Sequence, residues 1–179
     1  MVFQHQIGQP QRQAVDQHDT RRIVDPPELA EQIDCMQGRD LPAGWDATLP
    51  VFAADAKGLL KAAIRDDNPV VYMFHKGVMG LPWMAKNPRS VADVPAEAYE
   101  VPIGTASLAR EGTDVTVVTI SLSVHHCLDV AEALAPQGIS VEVIDLRSLV
   151  PLDRHAILQS VAKTGRLVVV DEDYQSFGM

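Results

Sequence analysis

From Asp114 onward the chain alternates short β-branched runs with segments of helical periodicity. The first run is Asp114-Val115-Thr116-Val117-Val118-Thr119-Ile120-Ser121-Leu122. After it, Val124, Cys127, Leu128, Ala131, Leu134 and Ala135 recur at helical spacing and trace one core-facing stripe. Ser123 is the expected N-cap of that helix, and Gly138 stands at its stop. The second run is Ile139-Ser140-Val141-Glu142-Val143-Ile144. Asp153 then caps a helix through Lys163, with Ile157, Leu158 and Val161 inward and Gly165 at the end. The third run, Leu167-Val168-Val169-Val170, is apolar on both faces, as expected in the middle of a parallel sheet. Strand, polar turn, capped helix and strand describe a βαβ unit. Its turn, Asp145-Leu146-Arg147-Ser148-Leu149-Val150-Pro151-Leu152-Asp153, is the stretch around which this half is organised.

Upstream the pattern is more broken. Residues 1–25 are polar and Gln-rich without periodicity, and are expected to be disordered. Pro26-Pro27-Glu28 opens a short helix capped by Asp25. Residues 26–53 end in Leu41-Pro42-Ala43-Gly44-Trp45-Asp46-Ala47-Thr48-Leu49-Pro50-Val51-Phe52, expected as a linker with Trp45 and Phe52 as buried anchors. Asp55–Arg65 is predicted helical, with Leu59, Leu60, Ala63 and Ile64 on one apolar face. It should stop at Asp66-Asp67-Asn68, because Pro69 disfavours helical geometry at Asn68. Pro69–His75 reads as a buried strand. Residues 77–113 form a connector rich in Gly and Pro, in which Val78, Met79, Leu81, Trp83 and Met84 are expected to pack on a neighbouring domain or subunit. There are no internal repeats.

Composition narrows the class. The chain has 179 residues, 46% of them hydrophobic, enough to bury a sizeable core. A net charge of −9 argues against nucleic-acid binding, which needs a basic footprint. No apolar run approaches the ~20 residues of a membrane span, and the N-terminus lacks the pattern of a secretory signal. Cys35 and Cys127 have no metal-ligand spacing and read as free thiols of the cytoplasm. His125 and His126 fall on the first turn of a helix at the end of a strand, where α/β sheets place ligands; packing or interface roles are preferred to catalysis for both. Asp171-Glu172-Asp173 reads as a solvated acidic turn, His155 as exposed, and His5 and His18 as solvated. No catalytic residue and no cofactor-binding residue is assigned.

Several long motifs are similar to one family. Ala54-Asp55-Ala56-Lys57-Gly58-Leu59-Leu60-Lys61-Ala62-Ala63-Ile64-Arg65-Asp66-Asp67-Asn68-Pro69-Val70-Val71 resembles the β subunit of the decarboxylating component of 2-oxoacid dehydrogenase complexes. So do Arg110–Thr116, Val141–Arg147, Pro151-Leu152-Asp153 and Lys163–Val170, in the family's order. That family includes pyruvate, branched-chain and acetoin dehydrogenases; His75-Lys76-Gly77 and Phe177-Gly178 lean towards acetoin-type members. Residues 41–52 instead resemble the linker between the first two domains of transketolases, a branch of the same thiamine-diphosphate superfamily.

The resemblance implies an α/β fold: the truncated end of a pyrimidine-binding domain over 54–76, then a transketolase C-terminal-type domain over 114–179 with a largely parallel sheet. It implies oxidative decarboxylation of a 2-oxoacid, or acetoin cleavage, with thiamine diphosphate and Mg²⁺ held through a partner α subunit in a heterotetramer. The family's GDG motif does not occur here, and no region before residue 54 matches the segment that carries its cofactor-activating glutamate. The chain is therefore expected to be inactive alone, and to serve subunit association and docking to the dihydrolipoyl acyltransferase core. In the family, carbonyls around Ala-Ile-Arg-Asp-x-Asn bind potassium; the matching positions are Ala63, Ile64, Asp66 and Asn68. The residues by themselves favour an ordinary helix stop before Pro69. Two other readings stand beside this one: a transketolase fragment, and a non-catalytic binding module or eroded gene product.

Overall fold

A computed structural model describes residues 41–78, 89 and 93–172. The readings made for residues 1–25, for the helix opening at Pro26, for Cys35, for Met79–Met84 and for Asp173 onward lie outside the described residues.

Among the described residues, seven strands and three α-helices follow in the order β1 (Asp46–Thr48), α1 (Ala53–Arg65), β2 (Val70–Tyr72), β3 (Ser107–Arg110), β4 (Val115–Thr119), α2 (Leu122–Leu134), β5 (Val141–Asp145), β6 (Ser148–Val150), α3 (Arg154–Thr164) and β7 (Leu167–Val170). The larger sheet has the order β3-β5-β4-β7. β4 pairs in parallel with β5 and with β7, and β3 closes one edge antiparallel to β5. The expected α/β class with a largely parallel sheet is what the chain adopts. Side-chain alternation divides the core in two. Val117, Val141 and Val143 pack under Val124, Cys127, Leu128 and Ala131 of α2. Val118, Ile120, Ile144 and Leu146 pack under Leu152 and Ile157 on the α3 side.

The capped helices formed as the punctuation predicted, with one shift. Gly138 and Gly165 both take left-handed geometry, at φ 78° and 70°, and end the 3-10 turn Ala135–Gln137 that follows α2, and α3. Asp153 accepts the Ala156 N–H at 3.0 Å and so caps α3; its other oxygen accepts the Ala106 N–H at 3.0 Å. Because this carboxylate holds two main-chain donors, Asp153→Ala is expected to lower stability by about 1–2 kcal/mol in urea unfolding. The shift is at α2: its N-cap is Ser121, at φ 62°, and not Ser123. Ser123 lies inside the first turn, where its hydroxyl donates to Glu172 Oε1 at 3.1 Å.

Other expectations are corrected by partners distant in sequence. β7 is an edge strand among the described residues, not a central one. Its two apolar faces arise because Val168 and Val170 meet the α2 side while Leu167 and Val169 meet the α3 side. The stretch read as a linker contains β1, which pairs in parallel with β2 and antiparallel with β6, making a second sheet of order β2-β1-β6. The Asp145–Asp153 stretch thus contributes a strand as well as a turn. The connector likewise contains β3, whose edge pairing uses main chain and needs no β-branched side chains. Trp45 is 40% exposed, so only Phe52 is an anchor, packed beside the α2-side core. On α1, Leu59 is fully buried, whereas Leu60 and Ile64 are 45% and 75% exposed. The helix rests on the sheet by a narrow stripe centred on Asp55, Gly58 and Leu59, so the predicted wider face is split.

Candidate functional site

The predicted cation residues lie together at the end of α1. The helix ends at Arg65, and Asp66 turns the chain to extended geometry at φ −71°, ψ 142°. The carbonyls of Ala63 and Ile64 belong to the last turn, which has no donors of its own four places on. The Asn68 N–H donates to Asp66 Oδ1 at 2.9 Å, and its side-chain amide reaches Asp46 Oδ2 at 3.4 Å. Ile64, Asp66 and Asn68 are exposed. Oxygen atoms gathered at a helix C-terminus suit a hard cation. Among the described residues no group of three His, Cys, Asp or Glu side chains could hold a metal ion.

The two histidines point apart. His125 is fully buried, its ring meeting the edge of Phe52 at 5.2 Å between centroids, and burial pushes its pKa down. The Val51 main chain acts against that shift, and among the described residues neither ring nitrogen makes a well-formed hydrogen bond. His126 is exposed, as is His155. The pair brings no nucleophile and base together, and His125 serves packing. Across the domain, Gly77 N–H donates to His75 Nδ1 at 3.0 Å, while His75 Nε2 lies 3.2 Å from Glu172 Oε2. Glu172 therefore ties β2's exit to α2 through Ser123.

A polar cluster sits at the carboxyl ends of β4 and β5, reached from α1 by Asp55. Asp145, the last residue of β5, is fully buried, and so is its register partner Thr119. Asp145 Oδ1 accepts the Arg147 main-chain N–H at 3.1 Å. Arg147 holds a left-handed φ of 57°. Its carbonyl accepts from Leu49 N at 2.7 Å and from Thr48 Oγ1 at 2.8 Å, which bolts β1 to this turn. Its guanidinium reaches Asp55 Oδ1, on the first turn of α1, at 3.1 Å. Burial pushes Asp145 up to about 7, against the pull of Arg147 and helped by the charge of Asp55. Burial also raises Asp55, more than Arg147 lowers it. This cluster was not assigned from the residues alone. Its legible signal is an acid closing a buried apolar strand beside an arginine in a turn.

A second buried carboxylate works on the α3 face. Glu142 accepts from Ser160, from Lys163 and from Gly112 N–H, the last at 3.2 Å. Burial acts to raise this carboxyl, and the three donors with the Lys163 charge outweigh it, holding it below the ordinary glutamate value. Thr116 Oγ1 joins Ser160 at 2.6 Å and Thr164 at 2.7 Å. Glu142 and Lys163 also line an open cleft of ≈ 370 Å³ with Leu108, Ile144 and Gln159. Fully partnered, this network fastens α3 to the sheet.

Residues 104–179 match the family model described as the transketolase C-terminal domain. The β subunit of 2-oxoisovalerate dehydrogenase from Bacillus subtilis (strain 168) is 45% identical over 130 residues, covering 73% of this chain and 37% of that protein. The β subunit of acetoin:2,6-dichlorophenolindophenol oxidoreductase from Cupriavidus necator is 46% identical over 129 residues, covering 72% and 36%. The mitochondrial pyruvate dehydrogenase E1 component subunit beta of Dictyostelium discoideum is 46% identical over 136 residues, covering 76% and 37%. This chain spans little more than a third of the length of these curated relatives. Among solved structures, the inactive β4 tetramer of a split-gene transketolase superposes with a TM-score of 0.59 at 27% identity, covering 75% of this chain and 41% of that one. The C-terminal part of the chain is a transketolase C-terminal-type domain, and the relatives matching it are β subunits of 2-oxoacid, pyruvate and acetoin dehydrogenases.

Proposed function

We propose that this chain works as part of the β subunit of a thiamine-diphosphate-dependent 2-oxoacid or acetoin dehydrogenase in the cytoplasm. The observation that carries the reading is the match of the C-terminal part to E1 β subunits at about 45% identity. In this proposal residues 54–76 close a pyrimidine-binding domain, and the domain from residue 114 serves association with an α subunit and docking to a dihydrolipoyl acyltransferase core.

Thiamine diphosphate, when bound, supplies the carbon chemistry of such enzymes, and protein groups orient it and move protons. The residues present do not fit it or its Mg²⁺: the GDG motif is absent from the chain, and no acidic or histidine set for a metal gathers among the described residues. That half of the site is assigned to the α subunit. A potassium ion fits better, held by the carbonyls of Ala63 and Ile64 with Asp66 and Asn68 at the end of α1. Its role there is to brace that helix end, not to react.

The test is co-purification with the α subunit of the same genome, followed by thiamine-dependent reduction of an artificial electron acceptor. The 179-residue chain is expected to form a stable complex and to turn nothing over by itself. Turnover of ketose and aldose phosphates would favour a transketolase, the reading that the split-gene transketolase structure supports. A complex that neither turns over nor binds thiamine diphosphate would favour a non-catalytic binding module.

A further inference from the structure

We propose that Arg147 is a proton-operated clasp, which holds α1 to the large sheet through Asp55 while Asp145 carries a proton and turns to Asp145 when that proton leaves. The inference does not depend on the proposed function.

The geometry shows one position of the clasp and leaves open the atoms that a second would use. In one, occupied here, Nη2 of Arg147 pairs with Asp55 Oδ1 at 3.1 Å. For the other, a donor and an acceptor are already in place. Arg147 Nε and Asp145 Oδ2 are both buried, and both lack a partner among the described residues. They belong to residues two apart on one turn. A buried donor and a buried acceptor left open each carry a desolvation penalty that mutual pairing removes. The main chain of Arg147 cannot follow, because Thr48, Leu49 and the Asp145 carboxylate hold its carbonyl and N–H. Only the side chain is free to swing.

Two buried carboxylates share this one guanidinium, so the choice between them is set by charge. With Asp145 neutral, the cation belongs to Asp55. With Asp145 ionised, the carboxylate on its own turn competes, and α1 loses its ionic tie. Burial places the Asp145 titration at about 7, in a range a cell reaches. Tyr72 on β2 donates to Ala56 O at 2.8 Å, and burial and Asp55 push its hydroxyl up. On the buried face of α2, burial lowers His125 and raises Cys127.

Hydrogen–deuterium exchange of the full chain across pH tests the clasp. A carboxyl whose pKa is higher when clasped than when open favours the clasped form at low pH and loses that preference as pH rises to the higher value. After correction for intrinsic rates, exchange of the α1 amides is expected to rise by up to about tenfold per unit from about pH 5 to about pH 7, then level off. α3 should show no such slope. D145N, a neutral stand-in for the protonated acid, is expected to keep α1 protected with no slope. D55N is expected to leave α1 fast-exchanging with no slope. A flat wild-type profile, a slope shared equally by α3, or a slope surviving in D145N overturns the proposal. Should D145N not fold, a slope surviving in D55N overturns it alone.

Discussion

Replacing Arg147 by methionine is expected to destabilise the fold by about 3–5 kcal/mol at pH 8 and by clearly less at pH 5. The side chain is the shared cation of Asp55 and Asp145, and both carboxyls are buried beside it. Methionine keeps the aliphatic volume and leaves the main-chain bonds to Thr48 and Leu49 in place, so the variant isolates the charge. Without the guanidinium, two carboxylates face a medium that solvates neither, and each takes up a proton more readily when folded than when unfolded. Their folded pKa values are already raised, Asp145 to about 7, and both go higher in the variant. A raised folded pKa gives stability that is full below the unfolded value and is lost as pH rises through the folded one. The penalty of the substitution therefore grows from acid to alkaline pH. Urea midpoints of wild type and variant at the two pH values measure it. Equal losses at both, or no loss at pH 8, would show that the cluster is solvated well enough to need no cation.

Gly112→Ala is expected to cost about 3 kcal/mol or more, seen as a Tm lower by roughly 10 °C. Gly112 lies between β3 and β4, and a methyl group there would enter the main chain of β5. It meets the Val141 carbonyl carbon and the Glu142 nitrogen, with the Val141 oxygen at 2.6 Å. A flexible side chain gives way to such an intrusion, but two strand backbones do not. Moving the turn would also withdraw the Gly112 N–H from Glu142, at 3.2 Å, and weaken the network that holds α3. Thermal unfolding followed by circular dichroism decides the point. A change within about 0.5 kcal/mol, the range of ordinary surface substitutions, would mean that the β3–β4 turn is free to shift.

The C-terminal half was legible because its signals are local. Valine runs at 115–118, 141–143 and 168–170 name strands, a helical stripe names α2, and Asp153 and Gly165 bound α3 within a residue or so of where it lies. The motifs shared with E1 β subunits were legible for a similar reason, since each is a contiguous stretch. The α1 stripe was overread because Leu60 and Ile64 are apolar yet have no described neighbour to cover them. Ser121 and not Ser123 caps α2, a place that residue type does not reveal because it depends on a φ of 62°. Trp45 and the edge place of β7 were misjudged because hydrophobicity reports a preference for burial and not which surface provides it.

By itself the sequence determined the α/β class, the order and approximate limits of the helices and main strands, and the kinship of the C-terminal part. These depend on side-chain alternation, helical spacing and caps that act within a few residues. Only the tertiary structure decided that β1 and β6 pair, that β7 takes an edge, and that Asp55, Asp145 and Arg147 close on one another. Thr48 meets the carbonyl of Arg147 across 99 positions of chain. Burial of a charge is a property of everything packed around it, so no stretch of sequence carries it alone.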